Sequence, residues 1–202
     1  DLAIAEAAHR GADVEDDYRL IVNMAPAVQG WVVDATERIA GPNQAAGVFI
    51  RPTGEVLGIA GSRDYVESSL NRAYRTRQQI GSTGKLFVLV AAYEYGISPN
   101  REFPSRSLDG RGRPADPSSL CQGRDMTLTE ALTHSCNRPF TWAAYELAHR
   151  LTTVVDRFEL TPPDAPALVP LGGIETSPLR LARAYAAVAN KGRLPRIRSL
   201  IA

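Results

Sequence analysis

The sequence predicts an α/β domain in which helices pack on a short antiparallel sheet. Two apolar, β-branched runs meet across a Pro-Gly turn near residue 52, which is the signature of a hairpin. Most of the remaining chain carries helical start signals or helical periodicity. A length of 202 residues with 44% hydrophobic content bounds the answer to one ordinary domain, or a piece of one.

The elements follow in order. Residues 1–45 read as leading helices: Ile21, Val22, Met24, Val28, Trp31, Val32, Val33 and Ile39 supply apolar faces, with Pro26 as an interruption. Residues 46–60 form the hairpin, turning at Arg51-Pro52-Thr53-Gly54. A polar, arginine-bearing loop runs from Asn71 to Gln79, without a strand before Gly81. Residues 82–96 form one helix, apolar on every side from Leu86 to Ala92 and stopped at Gly96. Residues 97–126 are rich in Pro, Gly, Ser and Arg and show no period, so they read as a long irregular segment. Helix then returns. Thr127-Leu128-Thr129-Glu130 is a capping box, Pro139 opens a second helix running through Arg150, and Ser177-Pro178 caps an alanine-rich helix that ends at Gly192.

Charge excludes some functions. The 23 basic residues nearly cancel the 22 acidic ones, so no electrostatic footprint for nucleic acid exists. Arg72, Arg75 and Arg77 make a local basic patch that reads as solvated or ion-paired. His9, His134 and His149 show no metal-ligand spacing and read as ordinary surface or core histidines; the S-x-x-K chemistry described below, in which nucleophile and base are both side chains, calls for no metal and no cofactor. No apolar run reaches the roughly 18 to 20 residues of a membrane span, and any membrane anchor is expected to lie outside this chain. Cys121 and Cys136 either form one bridge in an oxidising compartment or stay as two buried thiols.

The stretch Gly81-Ser82-Thr83-Gly84-Lys85 admits two chemistries. A phosphate-binding loop needs a glycine where Gln79 stands and a hydroxyl where Leu86 stands, so that reading fails. The alternative is S-x-x-K, with Ser82 as nucleophile and Lys85 as its base, one turn apart on one helix face. A serine needs such a base, and a lysine serves as one only when burial and neighbouring positive charge favour its neutral form. The helix dipole at Ser82 would favour charge developing on an attacked carbonyl. A second motif, Ser135-Cys136-Asn137, offers a hydroxyl to relay a proton and a carboxamide to hold the lysine and a substrate carbonyl. Each motif alone is weak; S-x-N by itself reads equally as a cap or a turn.

Together, and with "GEVLGIAGSRDY", "LNRAYRTRQQIGSTGKLFVLVAAYEYG", "TLTEALTHSCN" and "LGGIETSPLRLARAYAAVANKGR" in order, they resemble the transpeptidase domain of penicillin-binding proteins, in particular the bifunctional class A type. The resemblance covers about residues 46 to 193. It implies a penicillin-binding-protein/serine β-lactamase-like α/β fold, of which residues 1–202 would be the N-terminal portion of a single domain. It implies a cell-envelope enzyme, periplasmic or otherwise extracytoplasmic, in which Ser82 is acylated by D-Ala-D-Ala stem peptides of peptidoglycan, Lys85 is the base, and Ser135 and Asn137 complete the relay. β-Lactams would acylate the same serine.

The match has departures. The family's third motif, K-[TS]-G, is absent, and Lys191-Gly192 reads as the end of a helix. A two-stranded hairpin is marginal alone, so the antiparallel sheet is expected to be incomplete here: a downstream segment or a second chain finishes it, or the chain is a relic that kept the first half of the site. Gly84 stands where the family carries a bulky residue, which predicts a looser helix start, by up to about 1 kcal/mol. Cys136 occupies the middle of S-x-N; a bridge to Cys121 would close a loop of about 15 residues, worth about 3 kcal/mol in the entropic account. Two rivals stand beside the transpeptidase: a catalytically silent binding module on the same fold, which the missing third motif favours, and a serine β-lactamase or D,D-carboxypeptidase. No E-x-x-L-N stretch follows Asn137 to place a deacylating water.

Overall fold

The structure, a computed structural model, describes residues 2–11, 20–106, 119–121 and 124–200. In chain order the elements are α1 (Leu2–His9), α2 (Pro26–Ala40), β1 (Gly47–Ile50), β2 (Val56–Ala60), α3 (Arg72–Arg75), β3 (Gln78–Gln79), α4 (Lys85–Glu94), β4 (Glu102–Phe103), β5 (Met126–Thr127), α5 (Leu128–Thr133), α6 (Arg138–Leu147), α7 (His149–Arg157), β6 (Glu175–Thr176) and α8 (Pro178–Ala189). Short 3₁₀ turns occupy Gly81–Gly84, Ser119–Cys121 and Pro166–Leu171. The described strands pair as three two-stranded antiparallel sheets, β1 with β2, β3 with β6 and β4 with β5. Contacts divide the chain into two units, residues 1–77 with 177–202, and residues 78–176.

The first unit is built on the hairpin. β1 and β2 pair Val48 with Ile59 and Phe49 with Gly58, and the register slips by one residue before Ile50. α2 lies across the pair. Pro26 opens this helix instead of interrupting it, because the first helical position needs no amide hydrogen. Gln29 reaches from α2 and exchanges both amide hydrogen bonds with the backbone of Ile59, at 2.8 and 3.0 Å. The Ala25 amide donates to the Leu57 carbonyl at 2.9 Å, and Val56 N–H donates to the Arg198 carbonyl at 2.8 Å. The outer side of β2 is thus covered by the chain's own polar groups. Glu6 joins α1 to the same end of the chain: its carboxylate accepts from Ser199 N and Oγ at 2.5 Å and from Leu200 N at 3.1 Å. Partial burial pushes the Glu6 carboxyl up, but those bonds and Arg10 outweigh it and hold it below its ordinary value.

α8 packs against β1 and α3. Its expected cap forms: Ser177 Oγ accepts from Arg180 N at 3.3 Å with Pro178 in the first turn. A cavity of about 660 Å³ in this unit is lined by Val22, Met24, Val33, Ile59, Tyr65 and Leu70 among others, and none of Ser82, Lys85, Ser135 or Asn137 reaches it.

The second unit is centred on α4. Phe87, Val88 and Ala91 are fully buried, whereas Leu86, Leu89 and Val90 keep partial exposure, so the helix buries a stripe and not its whole circumference. Each such large apolar side chain contributes about 1.5–3 kcal/mol by leaving water. Phe87 meets Phe158 edge-to-face at 5.1 Å, which ties α4 to the end of α7. Gly96 ends the α4 segment with φ at 76°, as its sequence position implies.

Other expectations need correction. A strand does precede the Ser82 segment: Gln78 and Gln79 pair with Thr176 and Glu175, a ladder too short to leave a periodic signal. The segment read as irregular, residues 97–126, carries β4 and the first residue of β5, with Glu102 opposite Thr127 and Phe103 opposite Met126; residues 107–118 and 122–123 of that reading lie outside the described residues. The helix expected from Pro139 through Arg150 is two helices, broken at Ala148, which takes φ 46° and ψ −122°.

Candidate active site

Four side chains named from the sequence meet in the second unit. Ser82 sits in the 3₁₀ turn Gly81–Gly84 that leads straight into α4, and its side of the turn is exposed. Lys85 begins α4 and is only 1% exposed. Ser135 and Asn137 occupy the link between α5 and α6. Lys85 Nζ lies 2.8 Å from Ser82 Oγ, 2.8 Å from Asn137 Oδ1, 3.0 Å from Ser135 Oγ and 2.9 Å from the Ser135 carbonyl oxygen. The Phe140 ring centroid is 5.8 Å from the same nitrogen.

Counting donors and acceptors shows what this arrangement can do. An ammonium has three protons for four oxygens, so one contact must be shared. A carbonyl and a carboxamide oxygen only accept, whereas a hydroxyl both donates and accepts. A neutral amine therefore gives its two N–H bonds to the Ser135 carbonyl and Asn137 Oδ1, and turns its lone pair toward a hydroxyl. In either protonation state the nitrogen has three hydrogen-bonding directions for the four oxygens, so each state can be held there with one contact shared. That is the requirement for a group that takes a proton from a serine and passes it on.

Local structure explains each placement. Gly81 takes φ 57°, and Gly172, with φ 98°, stands so close that a Cβ on it would lie 2.5 Å from Gly81 N. The turn carrying Ser82 is thus pressed against the Pro166–Leu171 turn. Gly84 is part of the same contact: a Cβ there would fall 2.0 Å from the Val169 carbonyl oxygen. The expectation of a loose helix start is corrected accordingly, since the missing side chain is what lets two backbones meet.

α5 begins with its capping box. Thr127 Oγ1 accepts from Glu130 N at 3.2 Å, and Glu130 Oε2 accepts from Thr127 N at 2.9 Å and Thr127 Oγ1 at 3.1 Å. The Thr127 amide and hydroxyl, with Arg124 adding a smaller effect, hold the Glu130 carboxyl below its ordinary value. α5 ends in a helix-stop turn. Ser135 N donates to the Leu132 carbonyl at 3.0 Å and Cys136 N to the Ala131 carbonyl at 2.7 Å, with Ser135 left-handed at φ 54°. This is the paired-bond stop that normally places glycine at the left-handed position. A serine there costs about 1–2 kcal/mol. The return is geometric: one residue offers both Oγ and its carbonyl oxygen to Lys85.

Asn137 sits at the N-cap position of α6, but its side chain makes no capping bond and its Oδ1 faces Lys85. The everyday reading of S-x-N as a helix cap is therefore set aside. Cys136 and Cys121 are joined by a disulfide and both are fully buried, which removes the alternative of two free thiols. Sequence reasoning did not find the Ser135 carbonyl or Phe140: a main-chain oxygen has no sequence signature, and a phenylalanine at a helix start reads as core. Lys191 lies in a left-handed turn after α8, with Gly192 N donating to the Ala187 carbonyl at 2.8 Å, and is no part of this cluster. Among the described residues no group of three or more His, Cys, Asp and Glu side chains is arranged to hold a metal ion, and no helix is long and apolar enough to cross a membrane.

Comparison with known proteins identifies the family and the fold. The chain is 34% identical to penicillin-binding protein 1A of Rickettsia felis over 170 residues, 79% of this chain and 21% of that protein. It is 32% identical to penicillin-binding protein 1A of Neisseria gonorrhoeae over 151 residues, 69% of this chain and 19% of that one. It spans about a fifth of the length of these relatives. Among solved structures, PonA1 of Mycobacterium tuberculosis in complex with penicillin V superposes with a TM-score of 0.80 at 21% identity, covering 98% of this chain and 59% of that one. Penicillin-binding protein 1A of Haemophilus influenzae gives 0.64 at 27% identity, covering 77% of this chain and 25% of that one. The fold is accordingly the penicillin-binding-protein α/β fold with its sheet incomplete. A family model described as the penicillin binding protein transpeptidase domain matches residues 45–162, more than half of the chain, and the chain belongs to that family of penicillin-binding transpeptidases.

Proposed function

We propose that this chain carries the nucleophile portion of a serine D,D-transpeptidase that acts on D-Ala-D-Ala stem peptides of peptidoglycan in the cell envelope, on the extracytoplasmic side. The observation that carries the reading is the single buried amine, Lys85 Nζ, with Ser82 Oγ, Ser135 Oγ and Asn137 Oδ1 all within 3.0 Å. Membership of the transpeptidase family supports it, as does a structural relative seen with penicillin V.

The roles follow from the positions. Lys85 takes the proton from Ser82 as Oγ attacks the carbonyl carbon of the penultimate D-alanine. The peptide C–N bond breaks, and Ser135 relays a proton from Lys85 to the departing amine of the terminal D-alanine. Asn137 fixes Lys85 and offers its amide to the substrate. The amine of a neighbouring stem peptide then attacks the Ser82 ester, gives its proton back through the same groups, and restores the hydroxyl. A β-lactam enters at the first step and remains on Ser82. The donors that the third motif supplies in the family would come from a downstream segment or a second chain completing the sheet.

The test is intact mass after exposure to a fluorescent penicillin, with Ser82→Ala as control, in this chain and in the full gene product. A stable adduct that Ser82→Ala abolishes is the expected result. No adduct in either form would establish a catalytically silent binding module instead; rapid release of the adduct would indicate a β-lactamase or carboxypeptidase.

A further inference from the structure

Cys136 lies between the two polar residues of the second motif. It is fully buried and bonded to Cys121, 15 positions earlier, which is also fully buried. Cys121 Sγ lies 3.9 Å from the carbonyl oxygen of His134, the residue that closes α5. The disulfide is therefore bonded to the residue after Ser135 and lies against the carbonyl of the residue before it. In such a stop the residue after the left-handed position usually makes an apolar contact back to the last turn of the helix. Here the residue in that position, Cys136, is also tied covalently to the Ser119–Cys121 turn, at a stop that carries serine where glycine would be easier.

We propose that the Cys121–Cys136 disulfide is a positioning device for the second motif: it holds Ser135 in its left-handed conformation, so that its carbonyl oxygen and Oγ both stay on Lys85. The proposal rests on the transpeptidase reading above, and deepens it. Three observations combine. The conformation of Ser135 is disfavoured for a residue with a Cβ. Both of its oxygens are used, at 2.9 and 3.0 Å. The backbone one residue on is anchored covalently, while its amide holds the Ala131 carbonyl at 2.7 Å. Without the bond, the turn is free to relax toward an ordinary right-handed or extended serine, and either change swings both oxygens off Lys85 together. The effect belongs to the acylation step, since a misplacement of about 1 Å in a catalytic group costs up to about 100-fold in rate.

Two variants, C121A/C136A and C121A/C136V, remove the bond with and without refilling its space. Each is checked for folding by circular dichroism and studied well below its own melting temperature. Two readouts are taken on the full gene product: hydrogen exchange at the Ser135 and Cys136 amides, and the acylation rate of Ser82 by a fluorescent penicillin, separated from the affinity of the non-covalent complex. The expected result is exchange at those two amides at least about tenfold faster than in the parent, α8 amides unchanged, and acylation slower by about 10- to 100-fold with affinity altered less than about twofold. Unchanged exchange overturns the proposal, because the turn then holds itself. Faster exchange with an unchanged acylation rate overturns it too, because the turn is then not needed. A parent protein that is never acylated sinks the transpeptidase reading and this proposal with it, and is told apart because parent and variants are then equally silent.

Discussion

Gly84 decides how close the nucleophile turn comes to its support. By propensity alone, replacing a glycine in right-handed helical backbone with alanine would stabilise the helix start by about 1 kcal/mol. The backbone at Gly84, φ −61° and ψ −19°, is of that kind. Against this, the new Cβ would sit 2.0 Å from Val169 O and 3.1 Å from Val169 C, main-chain atoms that cannot rotate aside. Overpacking of this sort costs about 1–3 kcal/mol. The clash wins, and Gly84→Ala is expected to lower the urea midpoint and slow penicillin acylation, since the displaced turn carries Ser82. A higher midpoint would show that the Pro166–Leu171 turn yields. Residue by residue, the grouping is the legible part: Ser82 and Lys85 are a turn apart, Ser135 and Asn137 form a motif, and the structure brings all four side chains together. Gly84 was misread because a sequence records a side chain's absence but not the backbone that takes its place.

Helix ends set the site at the level of elements. α5 has a sequence-visible beginning and a hidden ending. The Thr127-x-x-Glu130 box was readable because it needs two side chains at a fixed spacing. The left-handed stop at Ser135 was not, because its usual glycine is missing. Ala148 hides its break for the same reason: it adopts nearly the backbone of Gly41, φ 53° and ψ −125°, with nothing in its identity to announce it. The β3–β6 and β4–β5 ladders, two residues per strand, are too short for alternation to register.

The box at Thr127 also predicts a pH dependence. Glu130 has its folded value lowered, so its contribution is fully present above the ordinary carboxylate range and is lost as pH falls through the lowered folded value. Glu130→Gln, which keeps a hydrogen-bonding group but no titrating carboxyl, is expected to flatten part of the acid limb of the stability profile. Denaturant midpoints at pH 7 and pH 3 measure this: parent and variant should differ more at pH 7 than at pH 3. An equal difference at both would refute the assignment.

On the scale of the whole molecule, hydrogen bonding decides which edge of the hairpin is open to further pairing. Ile59 turns both its N–H and its carbonyl toward Gln29. In an antiparallel pair, residues facing each other point their backbone groups either both inward or both outward. Val48 faces Ile59, so its N–H and carbonyl point away from β2. The outer side of β2 is already occupied by Ala25, Gln29 and Arg198. No strand pairs along the outer side of β1 among the described residues, and Phe49 on that strand is half exposed. Such an edge is a template for further pairing. The sequence foretold an unfinished sheet from the instability of a lone hairpin; it did not say which edge, because that depends on one glutamine reaching from α2. The Val48 amide is therefore expected to exchange with solvent hydrogen near the unprotected rate in this chain, while the Phe49 amide, turned toward β2, exchanges more slowly. In the full gene product Val48 should become protected, at any protein concentration if a downstream segment adds the strand, and only at high concentration if a second chain does. Val48 as well protected as Phe49 in the dilute chain would mean that β1 is already paired, and that the sheet is finished at a different edge.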